Sequence, residues 1–171
     1  MYVLLLEIAL WSFTSFYAIS VLMVGVEYQE VLIRDFYFHP LLLKIDKLSA
    51  LFILILNFTA LTSYIYARKY LEPYQKIKSK FSFSLHYFNF FILNFAMLLV
   101  LMINDGFGFL IAWELMTLSS FMLVIFESEK REILKAGIKY IVQMHIGYFF
   151  IVAGFVLVYN QTGDFGFEGI K

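Results

Sequence analysis

Apolar residues run almost unbroken through five stretches of the chain, roughly 2–26, 48–67, 85–103, 107–126 and 136–159. Polar residues collect between them. Each stretch approaches the ~20 residues that carry a helix across the hydrocarbon core of a bilayer. In lipid, backbone polar groups must pair internally, which leaves helices or closed barrels. Barrel strands alternate apolar and polar positions, and these runs do not. The pattern predicts an all-α integral membrane protein with about five transmembrane helices, forming a single helical membrane domain over 1–171. Pro40 and Pro73 both fall between runs, where the missing N–H breaks no helix.

The loops carry the charge and set an expected orientation. Arg68, Lys69, Lys76, Lys78 and Lys80 lie in one loop, and Lys130, Arg131, Lys135 and Lys139 in the loop and helix entry two spans later. Both fall on the same side. The other side holds Arg34, Lys44, Lys47 and Lys171. Basic residues accumulate on the cytoplasmic face, so the N-terminus is expected inside and the C-terminus outside, in a cell inner membrane. Residues 2–26 lack a basic leader and a small-x-small cleavage site, so they read as a retained span and not a signal peptide. The 27–47 loop is then external. Its Phe36, Tyr37, Phe38 and Leu41–Leu43 suit the membrane surface or a neighbouring chain. The tail 160–171, with Gly163, Gly166 and Gly169, reads as a loop.

Composition sharpens this reading. The 171 residues are 62% hydrophobic and only 15% charged, which leaves lipid as the solvent for most of the chain. Thirteen basic residues balance thirteen acidic ones, so there is no basic footprint for nucleic acid. The absence of cysteine removes disulfides, thiolate metal sites and iron–sulfur ligation. No phosphate-binding loop, nucleophile–base pair or metal-ligand spacing is present, so no catalytic residue, metal or cofactor is expected of this chain.

Against that background, Glu114 stands out. It sits in the apolar run Phe107–Phe126, about 11 Å from the outer helix end at 1.5 Å per residue. Intramembrane acids usually face a protein interior or a water path. Desolvation and a nearby cation pull its ionisation in opposite directions, and a group balanced between them exchanges a proton. Thr117, Ser119 and Ser120 follow within two turns. They can bond the carboxylate, hold water, or bond their own backbone, the commoner use. His145 lies near the middle of the fifth run, where Gln143 and Tyr148 suggest an interior-facing side. It can relay protons, bond a helix neighbour, or ligate haem with His39 or His86. Lys135 and Lys139 share a helix face as snorkelling anchors, and Lys139 is placed deep enough for proton entry. Asp46 is positioned to cap the second helix. Asn57, Thr59 and Thr62 give that helix a polar stripe. Asn94 does so more weakly for the third helix, and Asn89 lies towards its cytoplasmic end. Glu7, one or two turns into the first run, is within reach of the interface and is a minor candidate.

Three segments carry a family resemblance. KIDKLSALFILILNFTALTSYIYARKYL (44–71), FLIAWELMTLSSFMLVIFE (109–127) and AGIKYIVQMHIGYFFIVAGFVLVY (136–159) resemble helices of the antiporter-like membrane subunits, the third being the helix that follows the second. That family is shared by respiratory complex I, Mrp-type cation/proton antiporters and membrane-bound hydrogenases. The AGxxYxxxxHxG pattern is most similar to the branch of the formate hydrogenlyase kind. The resemblance implies that Glu114 is the family's intramembrane glutamate. In the family it pairs with a lysine on the second helix after it, and the pair helps move protons. His145 matches a histidine of the hydrogenase-like branch. Family members have many more helices than five, so the chain corresponds to an N-terminal portion, whether a split gene product, a truncated relic or a fragment. No residue here matches the partner lysine, since Lys139 lies on the wrong helix.

Three readings follow. The first is an ion-translocating module of a redox-driven pump, moving H⁺ or Na⁺, itself non-catalytic and completed by other membrane subunits of a respiratory or hydrogenase complex. One of these would supply the lysine-bearing helix. Glu114 titrates in this reading, Thr117, Ser119 and Ser120 hydrate or orient it, and His145 and Lys139 connect it to the cytoplasm. The second is a structural scaffold or relic subunit without conduction. The third is a haem- or quinone-binding membrane anchor.

Overall fold

The computed structural model describes residues 2–36, 39–163 and 165–167. Five helices dominate it: α1 Tyr2–Val24, α2 Lys47–Tyr70, α3 Lys80–Met102, α4 Gly106–Val124 and α5 Arg131–Thr162. All five are long and apolar enough to cross a membrane. Short 3₁₀ turns, Glu72–Lys76 and Ile125–Glu127, lead from α2 to α3 and from α4 to α5. Tyr37, Phe38 and Lys171, which the sequence reading used, lie outside the described residues, as do the side chains of Phe36 and His39.

Local chemistry fixes the helix starts. The Asp46 carboxylate accepts the Ser49 N–H at 2.7 Å, Ser79 Oγ accepts the Ser82 N–H at 3.2 Å, and Asp105 Oδ1 accepts the Gly108 N–H at 2.6 Å. Each cap satisfies a donor that the first helical turn leaves unpaired. The bond from Ser49 holds the Asp46 carboxyl below its ordinary range. The helices α3 and α5 start at Lys80 and Arg131, ahead of the apolar runs at 85 and 136. Their first turns carry interfacial residues that hydropathy counts as loop.

The segment 27–47, expected to be an external loop, contains an antiparallel β-hairpin, β1 Tyr28–Phe36 and β2 His39–Ile45. Tyr28 pairs with Ile45 and Val31 with Leu42, but the register shifts between Val31 and Ile33 and again before Phe36. Those irregularities break the period-2 alternation by which a strand is recognised. The hairpin is docked on the bundle. The Asn104 N–H donates to the Leu42 carbonyl at 2.9 Å, and Leu41 is buried with Ile103 and Ala112.

Helix α1 buries one stripe, Glu7, Trp11, Thr14, Ala18 and Val21, at spacings of four and three. Such spacing keeps one helix face towards a neighbour. Helix α2 answers with Ala50, Ile53, Asn57 and Ala60. Ala18, Val21, Ala50 and Ile53 pack with Leu98 of α3 into the main core, small residues letting the helices approach closely. Asn57 Nδ2 lies 2.9 Å from Thr14 Oγ1 and 2.8 Å from Ser15 Oγ, tying α2 to α1. The expected polar stripe on α2 is not one face: Thr59 and Thr62 are exposed and donate to their own helix.

Both cationic loops lie at one end of the bundle. Lys78 Nζ donates to the Phe126 carbonyl at 2.7 Å and to Glu129 Oε2 at 2.6 Å. The start of α1 is at that end too, since Val3 and Leu4 share a cleft with Arg68 and Ser84. The hairpin, the α3–α4 turn and residues 165–167 form the other end, where the Gly106 N–H donates to the Phe165 carbonyl at 2.8 Å.

Candidate functional site

Helices α4 and α5 run antiparallel and bring Glu114 and His145 together. Near one end, Gly137 makes the approach possible, because a Cβ there would sit 2.6 Å from Ile125 Cγ2. Towards the other end, the Phe109 and Phe155 rings meet at 5.9 Å. Between these contacts, Glu114 Oε1 lies 3.0 Å from His145 Nε2.

The other imidazole nitrogen fixes the chemistry. His145 Nδ1 lies 2.9 Å from the Ile141 carbonyl of its own helix. A carbonyl oxygen only accepts, so Nδ1 carries the hydrogen of that bond. The 3.0 Å contact to Glu114 then holds one further proton. Either a neutral acid donates to a neutral imidazole, or an imidazolium donates to a carboxylate. These forms differ by the movement of one proton along one hydrogen bond, and each is neutral overall. Neutrality keeps a titratable pair tolerable at membrane depth.

The pair is not sealed. The side chains of Glu114 and His145 are 27% and 45% exposed. His145 opens onto an apolar groove along α5 with Ile141, Val142, Ile146, Phe149 and Phe150, about 620 Å³ in volume. The α5 side that bears His145 and Tyr148 thus meets α4 at Glu114 but is otherwise left open by these five helices. Gln143 is exposed and Gly137 is the one buried α5 residue among those described.

The expected supporting hydroxyls separate. Thr117 is buried and donates to the Trp113 carbonyl at 3.0 Å, and Ser119 is buried and donates to the Leu115 carbonyl at 2.7 Å. Neither bonds Glu114; both stay within their own helix. Ser120 crosses to α5 and shares a hydrogen bond with Tyr140. Lys139 is exposed and makes no ion pair among the described residues. Six residues from His145, it points roughly 240° around the helix, at 100° per residue. Tyr148 lies within electrostatic reach of Glu114. It sits one turn from His145, a spacing that places it on the same face. Glu7, expected within reach of the interface, is enclosed by the bundle: its side chain is 0% exposed, inside the α1 packing stripe. Among the described residues, no three His, Asp or Glu side chains converge to hold a metal.

Comparisons with known proteins agree with this architecture. The family model described as NADH:quinone oxidoreductase/Mrp antiporter, transmembrane, matches residues 103–171, which contain α4 and α5. Hydrogenase-4 component B of Escherichia coli is 31% identical over 137 residues, covering 80% of this chain and 20% of that protein. NADH-quinone oxidoreductase subunit N of Rubrobacter xylanophilus is 39% identical over 69 residues, covering 40% of this chain and 14% of that protein. Subunit L of the same enzyme from Buchnera aphidicola is 30% identical over 99 residues, covering 57% and 16%. The chain thus spans about a fifth or less of the length of these relatives. Matches of this kind, together with five apolar helices, identify the chain as belonging to the antiporter-like membrane-subunit family shared by NADH:quinone oxidoreductases, Mrp antiporters and hydrogenase-4 components.

Proposed function

We propose that this chain is a proton-translocating portion of a redox-linked membrane subunit, with Glu114 and His145 as its titrating pair. One observation carries the reading: Glu114 Oε1 lies 3.0 Å from an imidazole nitrogen whose ring partner is a backbone carbonyl. That contact binds one proton in either of two neutral forms, which is what a relay station at membrane depth requires. Its opening towards the apolar α5 groove suits a neighbouring helix that takes the proton onward. The relatives are named as components and subunits, and we carry the same kind of assembly over to this chain. Further membrane subunits cover α5, including one bearing an intramembrane cation. Tyr140 and Ser120 extend the polar path towards the cationic end, which we assign to the cytoplasm of an inner membrane.

The haem-anchor alternative has less support, because both nitrogens of His145 are engaged. Glu114→Gln tests the main reading. It keeps the side-chain volume and removes the titrating proton. In the assembled complex, reconstituted in vesicles with a pH-sensitive dye, it is expected to abolish redox-driven acidification. Undiminished acidification would leave the chain a scaffold.

A further inference from the structure

Glu7 is more deeply buried than Glu114, and the Glu114–His145 pair does not use it. It occupies the stripe Glu7, Trp11, Thr14, Ala18, Val21, whose other members are packing residues. Neither Glu7 oxygen has a hydrogen bond, and no cation lies within ion-pair distance among the described residues. The Asn94 amide approaches from α3, with one of its two N–H groups given to the Phe90 carbonyl at 3.0 Å and the other free to face Glu7. One turn along α1, the Trp11 indole N–H is also buried and unpartnered. An isolated carboxylate in such a place is costly enough that the group carries a proton.

Between this carboxyl and the cationic end stand polar and aromatic side chains of α2 and α3. Tyr64 of α2 lies within electrostatic reach of both Glu7 and Arg68. Its ring stands 6.1 Å from Trp11 and 5.9 Å from Tyr87 of α3. Tyr64 and Tyr87 line a cleft of about 270 Å³ with Leu4, Ser84 and Arg68, large enough to hold water. Facing groups on each packed helix are therefore Tyr64 and Arg68 from α2, and Tyr87 with neutral Asn94 from α3.

We propose that Glu7 is a second intramembrane proton-binding site, exchanging with water at the Arg68 end through the Tyr64–Tyr87 cleft. The step is simple: the carboxyl O–H bond breaks, a cleft water takes the proton, and the reverse restores the acid. The site is separate from α4–α5 and does not rest on conduction through Glu114.

Infrared difference spectroscopy on the full chain in native membranes tests this. The probe is the C=O band of a protonated carboxyl, assigned by its loss in Glu7→Gln. The band is expected to shift on transfer to D₂O, to disappear as pH is raised, and to persist in Glu114→Gln. Glu7→Asp should restore a band, and Ser84→Phe, which fills the cleft, should slow the D₂O shift. A second readout is labelling by dicyclohexylcarbodiimide, which modifies protonated carboxyls in apolar surroundings. An adduct on Glu7 that declines with rising pH supports the site. A Glu7 band that neither exchanges nor titrates, or an unlabelled Glu7 beside a labelled Glu114, overturns it. If acidification survives Glu114→Gln while the Glu7 band behaves as described, the relay reading fails and this one stands.

Discussion

Two carboxyls within the apolar helices of this bundle, Glu7 and Glu114, sit in opposite circumstances. Glu114, on α4, is partly exposed and lies 3.0 Å from His145 of α5. Glu7, on α1, is fully enclosed, with no ion pair among the described residues and only the Asn94 amide approaching it. Glu7 belongs to the packed part of the molecule, where α1, α2 and α3 meet, although the main core of Ala18, Val21, Ala50, Ile53 and Leu98 lies further along α1. The region around Glu114 is the open part, where α5 lies across α4 with most of its surface uncovered. Depth of burial and readiness for proton transfer are thus different properties. A carboxyl becomes a relay when a second titratable group stands at hydrogen-bond distance. Enclosure without such a group favours one protonation state and slows its exchange.

The largest expected effect breaks the α4–α5 side of this comparison. If Glu114 and His145 hold one proton between them, removing either should slow proton movement by on the order of a hundredfold or more. The double variant Glu114→Gln/His145→Gln should then be no slower than the worse single variant, because residues acting as a unit are not additive. Acidification of vesicles by the assembled complex reads all three. Additive losses would show that the two side chains act independently.

Substitution by leucine separates the two carboxyls by stability. Glu7→Leu replaces an unpaired buried acid with a packing residue and is expected to stabilise the bundle by roughly 1–4 kcal/mol. Glu114→Leu gains no such relief, since it strips His145 of its partner. Thermal denaturation in detergent compares them. A destabilised Glu7→Leu would mean that its carboxyl is paired in the membrane.

Packing around the relay gives the next effect. Gly137 has no room for a Cβ beside Ile125. Gly137→Leu overpacks this crossing and should cost about 1–3 kcal/mol, while separating Glu114 from His145. Loss of proton movement should therefore accompany the lower melting temperature. Retention of full activity would mean that α5 can slide without disturbing the pair.

Much of this arrangement is written in the sequence, but not all of it in the same code. The five spans are legible because the membrane imposes a length on every apolar run. Their ends are less so, since the first turns of α3 and α5 are held by a Ser79 cap and interfacial residues, not by hydropathy. The hairpin is obscured by its register shifts near Ile33. Glu114 and His145 are each conspicuous as polar residues in apolar runs, yet their meeting depends on the rotation and slide of α5 on α4. Gly137 sets that approach, and a lone glycine does not announce it. Burial of Glu7 was readable: the spacing 7, 11, 14, 18, 21 places it on the stripe facing α2. Charge near a helix end suggests an interface, but here the neighbouring helices extend past it.

The smallest effect concerns how the packed and open regions are joined at their cationic end. Lys78, between α2 and α3, reaches the Phe126 carbonyl and the Glu129 carboxylate beyond α4. This bond from Lys78 holds the Glu129 carboxyl below its ordinary value. A carboxyl with a depressed folded value contributes stability above its unfolded value, about 4.3 for glutamate. The contribution fades as pH falls through the lower folded value. Glu129 is exposed, so water and salt screen the pair and the effect is slight. Lys78→Met should lower the melting temperature a little near neutral pH, and the difference from the parent should shrink as the medium is acidified and vanish once Glu129 is protonated. A difference that persists unchanged in acid would place the role of Lys78 in its bond to Phe126, making the α4–α5 turn, and not the ion pair, the joint between the two regions.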